Sequence, residues 1–346
     1  MKPILKTSGN GTGPCAACAG ESYSVLLNHL SHQYTANGQT TEWPYRLIEC
    51  SECGLGSVDP KPSWEVLQTF YNTSYGNFDG SQRDPVKDAH SIKSQIAKLR
   101  ASKPSDGIKA LCKTGVGILC EWVTGKTIPY TLSVPLNLGL DTYMFDLGYG
   151  SGNWLLMMSE LGYQNLYGYD IDANSENASR LREKGINVSS GQFLSNPYPE
   201  MLFDCIHLDH VFEHIHEPVK VLERCRDLLK PGGFLLMSLP CKNSWSMKLS
   251  LPNSPALQLP KHLYHHTQDS VRRLLENSGF EVLKIHAYSV ASQLAGTING
   301  TLRERNARPI SPVLFEMLGP AYKLFGSLTR KGDFMTVKAT NRDPLQ

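Results

Sequence analysis

The 346-residue chain has no apolar run approaching the roughly 20 residues that a bilayer crossing requires. Its polar opening, MKPILKTSGNGTGP, also lacks the apolar core of a secretory signal. These absences predict a cytoplasmic protein with no membrane partner. Excess charge is missing too: 34 Lys and Arg against 32 Asp and Glu leave a net charge of +2, with the two signs interspersed. That balance gives no electrostatic footprint for nucleic acid or an anionic surface. Arg303, Arg305 and Arg308 form one notable basic cluster, which reads as a solvated helix face. Internal repeats and low-complexity tracts are absent. Nine cysteines make an odd disulfide set, and in a reducing compartment paired cysteines more often bind metal or pack quietly.

Cysteine spacing separates those two roles. Cys15-Ala-Ala-Cys18 and Cys50-Ser-Glu-Cys53-Gly54 are two C-x2-C knuckles, the second followed by a glycine that lets the turn wrap around an ion. Four thiolates suit tetrahedral zinc, so Cys15, Cys18, Cys50 and Cys53 are expected to hold a structural Zn2+ in a ribbon over residues 1–60. The strand-like run Tyr45 to Glu49 leads into the second knuckle, and the long intervening segment enlarges the hairpin. Cys112, Cys120, Cys205, Cys225 and Cys241 lie singly in apolar or helical contexts and are expected to pack. Beyond the Pro-rich VDPKP boundary, residues 61–142 read as a helical linker or lid. Trp64, Leu67, Phe70 and Tyr71 share one helical face there, and further helices are expected over 86–100 and 107–124.

From Tyr143 onward strand and helix alternate. Strands are predicted over 143–147, 166–169, 186–189, 203–208, 234–239 and 281–288, with a last one over 333–340. Helices are predicted over 153–162, 174–184, 218–229 and 268–278. The pattern is α/β, a doubly wound, mostly parallel seven-stranded Rossmann-like sheet over 143–346. An insertion over 291–332 precedes its last strand. Its apolar Val313, Leu314, Phe315, Met317 and Leu318 could pack on the ribbon or on a second subunit, which leaves a homo-oligomer open.

The first strand runs into Phe145-Asp146-Leu147-Gly148-Tyr149-Gly150-Ser151-Gly152. Gly148, Gly150 and Gly152 can take positive φ and let backbone N–H groups approach a polar ligand at the helix N-terminus. The spacing is G-x-G-x-G, whereas a nicotinamide-dinucleotide site has G-x-G-x-x-G. Asp146, ahead of the first glycine, suits a ligand with an ammonium group. Asp170, within GYDID near the end of the second strand, can accept both ribose hydroxyls. Adenosine is the shared element, and S-adenosyl-L-methionine is the better fit.

In order, FDLGYGSG, GYDID, FDCIHLDHVFEHIHEP and LLKPGGFLLMSLP resemble the class I S-adenosylmethionine-dependent methyltransferases over about residues 143–288. The knuckles, the DPKP segment, FYNTSYG and PKHLYHHT resemble the zinc-ribbon-bearing bacterial members that methylate sugars, polysaccharide precursors and natural products. The resemblance implies that Asp146, Gly148, Gly150 and Gly152 hold the methionine portion and Asp170 the ribose. It places Ile171 beside the adenine, with Gln192 and Phe193 lining it, although Phe193 reads equally well as core, and makes Leu208 and Asp209 cofactor neighbours. Tyr149 departs from the small residue usual between the first two glycines and would crowd the methionine end. Glu213-His214 resembles the family's E-H pair, in which His214 positions or deprotonates substrate or else has a structural role. His262, His265 and His266 are candidate bases because an unperturbed imidazole titrates near pH 6.5. His262 ranks first and His265 second; either could instead bond backbone and shape the loop.

The function this implies is methyl transfer to a small hydroxylated acceptor, such as a sugar, polysaccharide precursor or natural-product intermediate, with oxygen ahead of carbon as the nucleophile. An RNA methyltransferase gripping RNA through the ribbon is an alternative that the near-neutral charge opposes. A noncatalytic zinc-containing binding protein with a degenerate methyltransferase fold is another, and Tyr149 is the residue that speaks for it.

Overall fold

In the computed structural model, residues 4–6, 13–28, 45–68, 139–171, 176–191, 193–195, 198, 200 and 202–341 are described. The helices expected over 86–100 and 107–124, together with Cys112, Cys120 and Gln192, lie outside the described residues. Strands β1 (Ile4–Lys6), β2 (Ser22–Leu27), β3 (Arg46–Cys50) and β4 (Gly56–Asp59) form an antiparallel sheet. A fifth strand, β10 (Tyr264–His265), completes it from far along the chain by pairing antiparallel with β4.

The larger sheet has the order β11-β12-β9-β8-β5-β6-β7. Its parallel part comprises β5 (Tyr143–Leu147), β6 (Asn165–Tyr169), β7 (Asn187–Ser189), β8 (Phe203–Asp209) and β9 (Leu229–Pro240). The chain's last strand, β12 (Phe334–Asn341), enters antiparallel between β9 and β11 (Phe280–Tyr288). Strand β9 begins five residues before the run expected from hydropathy alone. Leu229 already pairs with Phe203, and the Pro-Gly-Gly segment is carried through a shift of register.

Helices cover the sheet according to their apolar content. Helix α1 (Asn153–Leu161) buries Trp154 through Met158 without a break and ends on Gly162 at φ 102°, whose N–H caps the carbonyls of Met158 and Ser159. Helix α2 (Glu176–Glu183) buries only Ala178 and Leu181. Helix α3 (Pro218–Leu228) starts on proline, and helix α4 is the short Trp245–Leu249. Helix α5 (Gln268–Asn277) is started by Thr267, which exchanges hydrogen bonds with Ser270 in a capping box, and turns Val271, Leu274 and Leu275 inward. Side chains of the cysteine-bearing sheet, including Ile48 and Leu55, share one buried cluster with Leu208, Leu263 and Phe280 of the larger unit. The amino-terminal region is thus packed into the same core as the sheet it precedes.

The 291–332 insertion is a pair of helices, α6 (Ala291–Glu304) and α7 (Pro312–Thr329). Phe315 is buried, while Val313, Leu314, Met317 and Leu318 are exposed. No helix among the described residues is long and apolar enough to cross a membrane. The pair is tied to the entrance of β12 by Asp333, which is fully buried. Its carboxylate accepts from Ser246 Oγ, from Tyr322 OH at 2.8 Å and from Val290 N at 2.8 Å. Removing the acceptor would strand three buried donors. Asp333→Ala should therefore cost roughly 3 kcal/mol of unfolding free energy. Urea denaturation checks this, and a loss below about 1 kcal/mol would show that the three donors find other partners.

Candidate active site and cysteine cluster

Because β5, β6, β8 and β9 run parallel, the loops beyond their carboxyl ends meet at one edge. The glycine loop after β5 divides its labour there. A Cβ on Gly148 would lie 2.4 Å from Val211 Cγ2, and one on Gly152 2.8 Å from Leu181 Cδ1, so these two glycines allow the loop to press against its neighbours. Gly150, at φ 51°, has nothing within 4 Å of that position and opens on space. All three glycine N–H groups are engaged within the protein: Gly148 donates to Tyr169 O, Gly152 to Tyr149 O, and Gly150 to Asp170 Oδ2 at 2.9 Å. Asp170 at the end of β6 therefore sits directly over the open glycine, and the adjoining Ile171 is 57% exposed. The glycine N–H groups expected to face a ligand are thus taken up internally; what borders the open space at Gly150 is the Asp170 carboxylate and the exposed Ile171, which fit the ribose and adenine of S-adenosylmethionine.

Several expected contacts turn inward instead. The Tyr149 ring is buried and fills the space left by Gly168, where a Cβ would meet Tyr149 Cδ1 at 2.8 Å. Its bulk is accommodated below the loop and leaves the cleft over Gly150 open. Asp146 is buried, with Oδ1 2.8 Å from His207 Nδ1, and the His207 ring stacks on Trp154 with centroids 4.2 Å apart. Burial raises the Asp146 pKa, while the adjacent imidazole opposes the shift. Leu208 lies in the core, and Phe193 packs on Phe145 and Tyr169. Asp209, half-buried, ends β8 at the cleft edge.

Beyond β8 the chain turns through His210, at φ 55°, into a short 3-10 turn, Phe212–His214. This turn carries a buried Glu213 whose Oε1 lies 3.3 Å from His210 Nδ1 and 3.9 Å from His262 Nε2. His214 Nδ1 donates to Lys261 O at 2.9 Å, and His262 Nδ1 to Ala256 O at 2.9 Å. The two rings meet edge to face at 4.7 Å. Val211, on the same turn, is the side chain packed against Gly148, so this cluster borders the glycine loop. His265 and His266 are buried behind it; neither imidazole has a hydrogen-bond partner, and His266 stacks on Phe212. The structure thus brings His214 and His262 together, with the His265 ring 6.1 Å from that of His262. His210 and His207 were not among the expected site residues, and Glu213 was noted only as the partner of His214 in the E-H pair. The i, i+3 spacing of His210 and Glu213 across a turn was the available signal.

The histidine segment is held by the cysteine-bearing sheet. Leu263 N donates to Glu213 O, Val58 N donates to Leu263 O, and Thr267 Oγ1 donates to Cys53 O at 3.1 Å. Lys242 Nζ donates to Gly54 O at 3.0 Å and pairs with Glu49. Both cysteine knuckles are the same turn: Ala19 N donates to Cys15 O and Gly54 N to Cys50 O, with Ala19 at φ 57° and Gly54 at φ 72°. The four sulfurs lie within 4.8 Å of one another, and the pairs Cys15/Cys53 and Cys18/Cys50 are each 3.6 Å apart. A tetrahedron with Zn–S bonds of about 2.3 Å has edges of about 3.8 Å. The four thiols therefore fit such an ion. Cys205, Cys225 and Cys241 are buried singly, as expected.

The fold and the glycine loop agree with sequence comparison. Residues 108–285, more than half of the chain, match the family described as a methyltransferase domain, and the chain belongs to that family. A methyltransferase of Strobilurus tenacellus is 34% identical over 107 residues, covering 30% of this chain and 37% of that protein. The ubiquinone biosynthesis O-methyltransferase of Dinoroseobacter shibae is 28% identical over 148 residues, covering 40% and 59%. The chain spans about half the length of the curated relatives it matches. Among solved structures, a SAM dependent methyltransferase from Archaeoglobus fulgidus is 17% identical, with 64% of this chain and 94% of that one covered and a TM-score of 0.43.

Burial sets the protonation of the histidine cluster. It pushes His265 down to about 3 and His266 down to about 4, and it holds His262 well below the usual imidazole range. His214 is lowered by burial as well. For Glu213, burial acts upward, but the His210 hydrogen bond and the surrounding imidazoles outweigh it and keep the carboxyl below its ordinary value. His265 and His266 are neutral when folded and recover their ordinary proton affinity on unfolding. Their contribution to stability is complete above about pH 6.5 and is lost as pH falls toward their folded values, at about 1.4 kcal/mol per pH unit per proton. His266→Leu should therefore flatten the fall in urea midpoint between about pH 7 and pH 5. An unchanged pH slope would mean that His266 is already protonated in the folded protein.

Proposed function

We propose that the protein transfers a methyl group from S-adenosylmethionine to a hydroxyl or carbon of a small biosynthetic acceptor, with a structural zinc in its amino-terminal ribbon. The carrying observation is the open backbone at Gly150 beneath Asp170, bordered by the turn that bears His210, Glu213 and His214. When bound, S-adenosylmethionine supplies an electrophilic methyl. Asp170 would accept hydrogen bonds from ribose hydroxyls, Ile171 would cover the adenine, and the amino end of helix α1 would favour the polar end of the ligand.

Alignment and exclusion of water account for most of the acceleration in such a displacement, so few acid–base groups are required. A backbone carbonyl can only accept. The Nδ1 atoms of His214 and His262 must therefore carry their protons, which leaves the lone pairs on Nε2. Either imidazole can take a proton from an acceptor hydroxyl as it is methylated, and Glu213 stabilises the imidazolium that results. His265, whose ring lies 6.1 Å from that of His262 and outside the Glu213, His214 and His262 group, serves to shape the loop. Relatives named as ubiquinone biosynthesis O-methyltransferases support oxygen ahead of carbon as the nucleophile. The cysteine knuckles and the histidine loop support the sugar, polysaccharide-precursor or natural-product class. The small net charge, +2, gives no support to an RNA acceptor.

Two measurements test this reading. Calorimetric titration should give one S-adenosylmethionine site, weakened roughly 10- to 100-fold by Asp170→Ala through loss of a charged hydrogen bond. Absence of binding by the intact, metal-loaded protein would sink the proposal. Metal analysis should give about one tightly held zinc per chain, lost in Cys53→Ser. With it should go hydrogen-exchange protection across 262–267, because Thr267 is anchored on Cys53 O. Protection that survives zinc loss would show that the β4–β10 pairing stands without the ion.

A further inference from the structure

We infer that Glu213, His214 and His262 form a second metal site, separate from the four cysteines, that takes a divalent ion of the zinc class with an open coordination position. One ligand atom from each of the three residues lies within 4.8 Å of the others. The two imidazoles are already set as ligands: each donates its Nδ1 proton to a main-chain carbonyl, Lys261 O or Ala256 O, which directs the Nε2 lone pair elsewhere. Carbonyl acceptors of this kind fix tautomer and ring orientation in protein metal centres. His262 Nε2 points to Glu213 Oε1 at 3.9 Å, an approach of two acceptors with no proton between them in that tautomer.

The carboxylate supplies the independent observation. Glu213 is 1% exposed, and its Oε2 has no hydrogen-bond partner. A buried, unpaired carboxylate oxygen grouped with two imidazoles, the Nε2 lone pair of one of them 3.9 Å from its sister oxygen, is costly unless a cation joins them. Two nitrogens and one oxygen are the ligand set of open zinc sites, with room for one more ligand. His210, whose side chain is 40% exposed and whose Nδ1 is 3.3 Å from Glu213 Oε1, stands between the cluster and solvent and marks the side from which an ion or an acceptor enters. On the proposed methyl-transfer reading, an acceptor hydroxyl bound at the open position would ionise more readily and would be held at the edge of the glycine loop.

The test uses the full-length protein carrying its cysteine-bound zinc. Titration with zinc chloride should show one additional equivalent, weakened at least tenfold in Glu213→Gln and in His262→Ala while the cysteine-bound ion is retained. Cobalt chloride added to the same unmodified protein should fill the second site with visible bands of nitrogen and oxygen ligation and without thiolate charge-transfer absorption. That measurement does not depend on the variants folding. No additional equivalent, undiminished binding in both variants, or a thiolate signature for the second ion would each overturn the inference. S-adenosylmethionine binding measured on the same samples reports separately on the methyl-transfer reading: its loss with metal uptake intact would count against that reading alone.

Discussion

The pairing of β10 with β4 is the contact on which the site depends. Tyr264 and His265 lie opposite Ser57 and Gly56, and on either side of them the chain is fastened by Val58 N to Leu263 O and by Thr267 Oγ1 to Cys53 O. His262 is one residue before the first of these bonds, and His266 lies between β10 and the Thr267 anchor. Without β4 as a template, a Pro- and His-containing loop of polar sequence would have no ladder partner, and its buried imidazoles would lose their surroundings. The second cysteine knuckle fixes β4 in turn, because Cys50 ends β3 and Gly54 leads into the return strand. The amino-terminal sheet is therefore part of the site's framework, and its cysteines act on chemistry they do not touch.

A second constraint is steric. The glycine loop can lie as close as it does to its neighbours because Gly148 admits Val211, Gly152 admits Leu181 and Gly168 admits the Tyr149 ring. Each of these contacts fixes one side of the cleft. Val211 brings the turn of His210 to His214 against the loop, and Leu181 brings in helix α2. Tyr149, seated below, replaces the small residue usual at that position without reaching the cleft. Its presence follows from the missing side chain at Gly168, nearly twenty residues away in sequence but beside it in the sheet.

The alternation of strands and helices from Tyr143 to Tyr288 could be read from the sequence because local hydrophobic period and capping agree with the fold there. Thr267 with Ser270 and Pro218 at a helix start are examples. The cysteine knuckles were legible for a similar reason, since metal ligation imposes short, fixed spacing. Other features depend on distant contacts. Leu229 joins β9 because Phe203 lies beside it, and Ala19 takes the left-handed conformation although no glycine announces it. The side-chain directions of Asp146 and Leu208 also escaped, and the two readings of Phe193 stayed level, because a motif fixes where the backbone passes and says little about which face of the sheet is filled first. His207 claims Asp146, and the aromatic cluster around Phe145 claims Phe193.

The histidines show why residue type alone did not assign roles. Sequence offers four imidazoles within reach of one another and a single reference pKa for all of them. Orientation divides them. Burial lowers all four, and His265 and His266 are pushed down to about 3 and about 4 without a carbonyl orienting either ring toward Glu213. His214 and His262 are also lowered, yet each is oriented by a carbonyl and both are grouped with a buried carboxylate, which His262 faces at 3.9 Å. Orientation costs conformational freedom, and a buried carboxylate costs hydration, so an arrangement that includes both must be offset by something that meets them together. A proton passed from an acceptor meets that requirement briefly, and a divalent cation meets it continuously. The unpartnered Glu213 Oε2 favours the second, because a single shared proton would satisfy only one edge of the cluster.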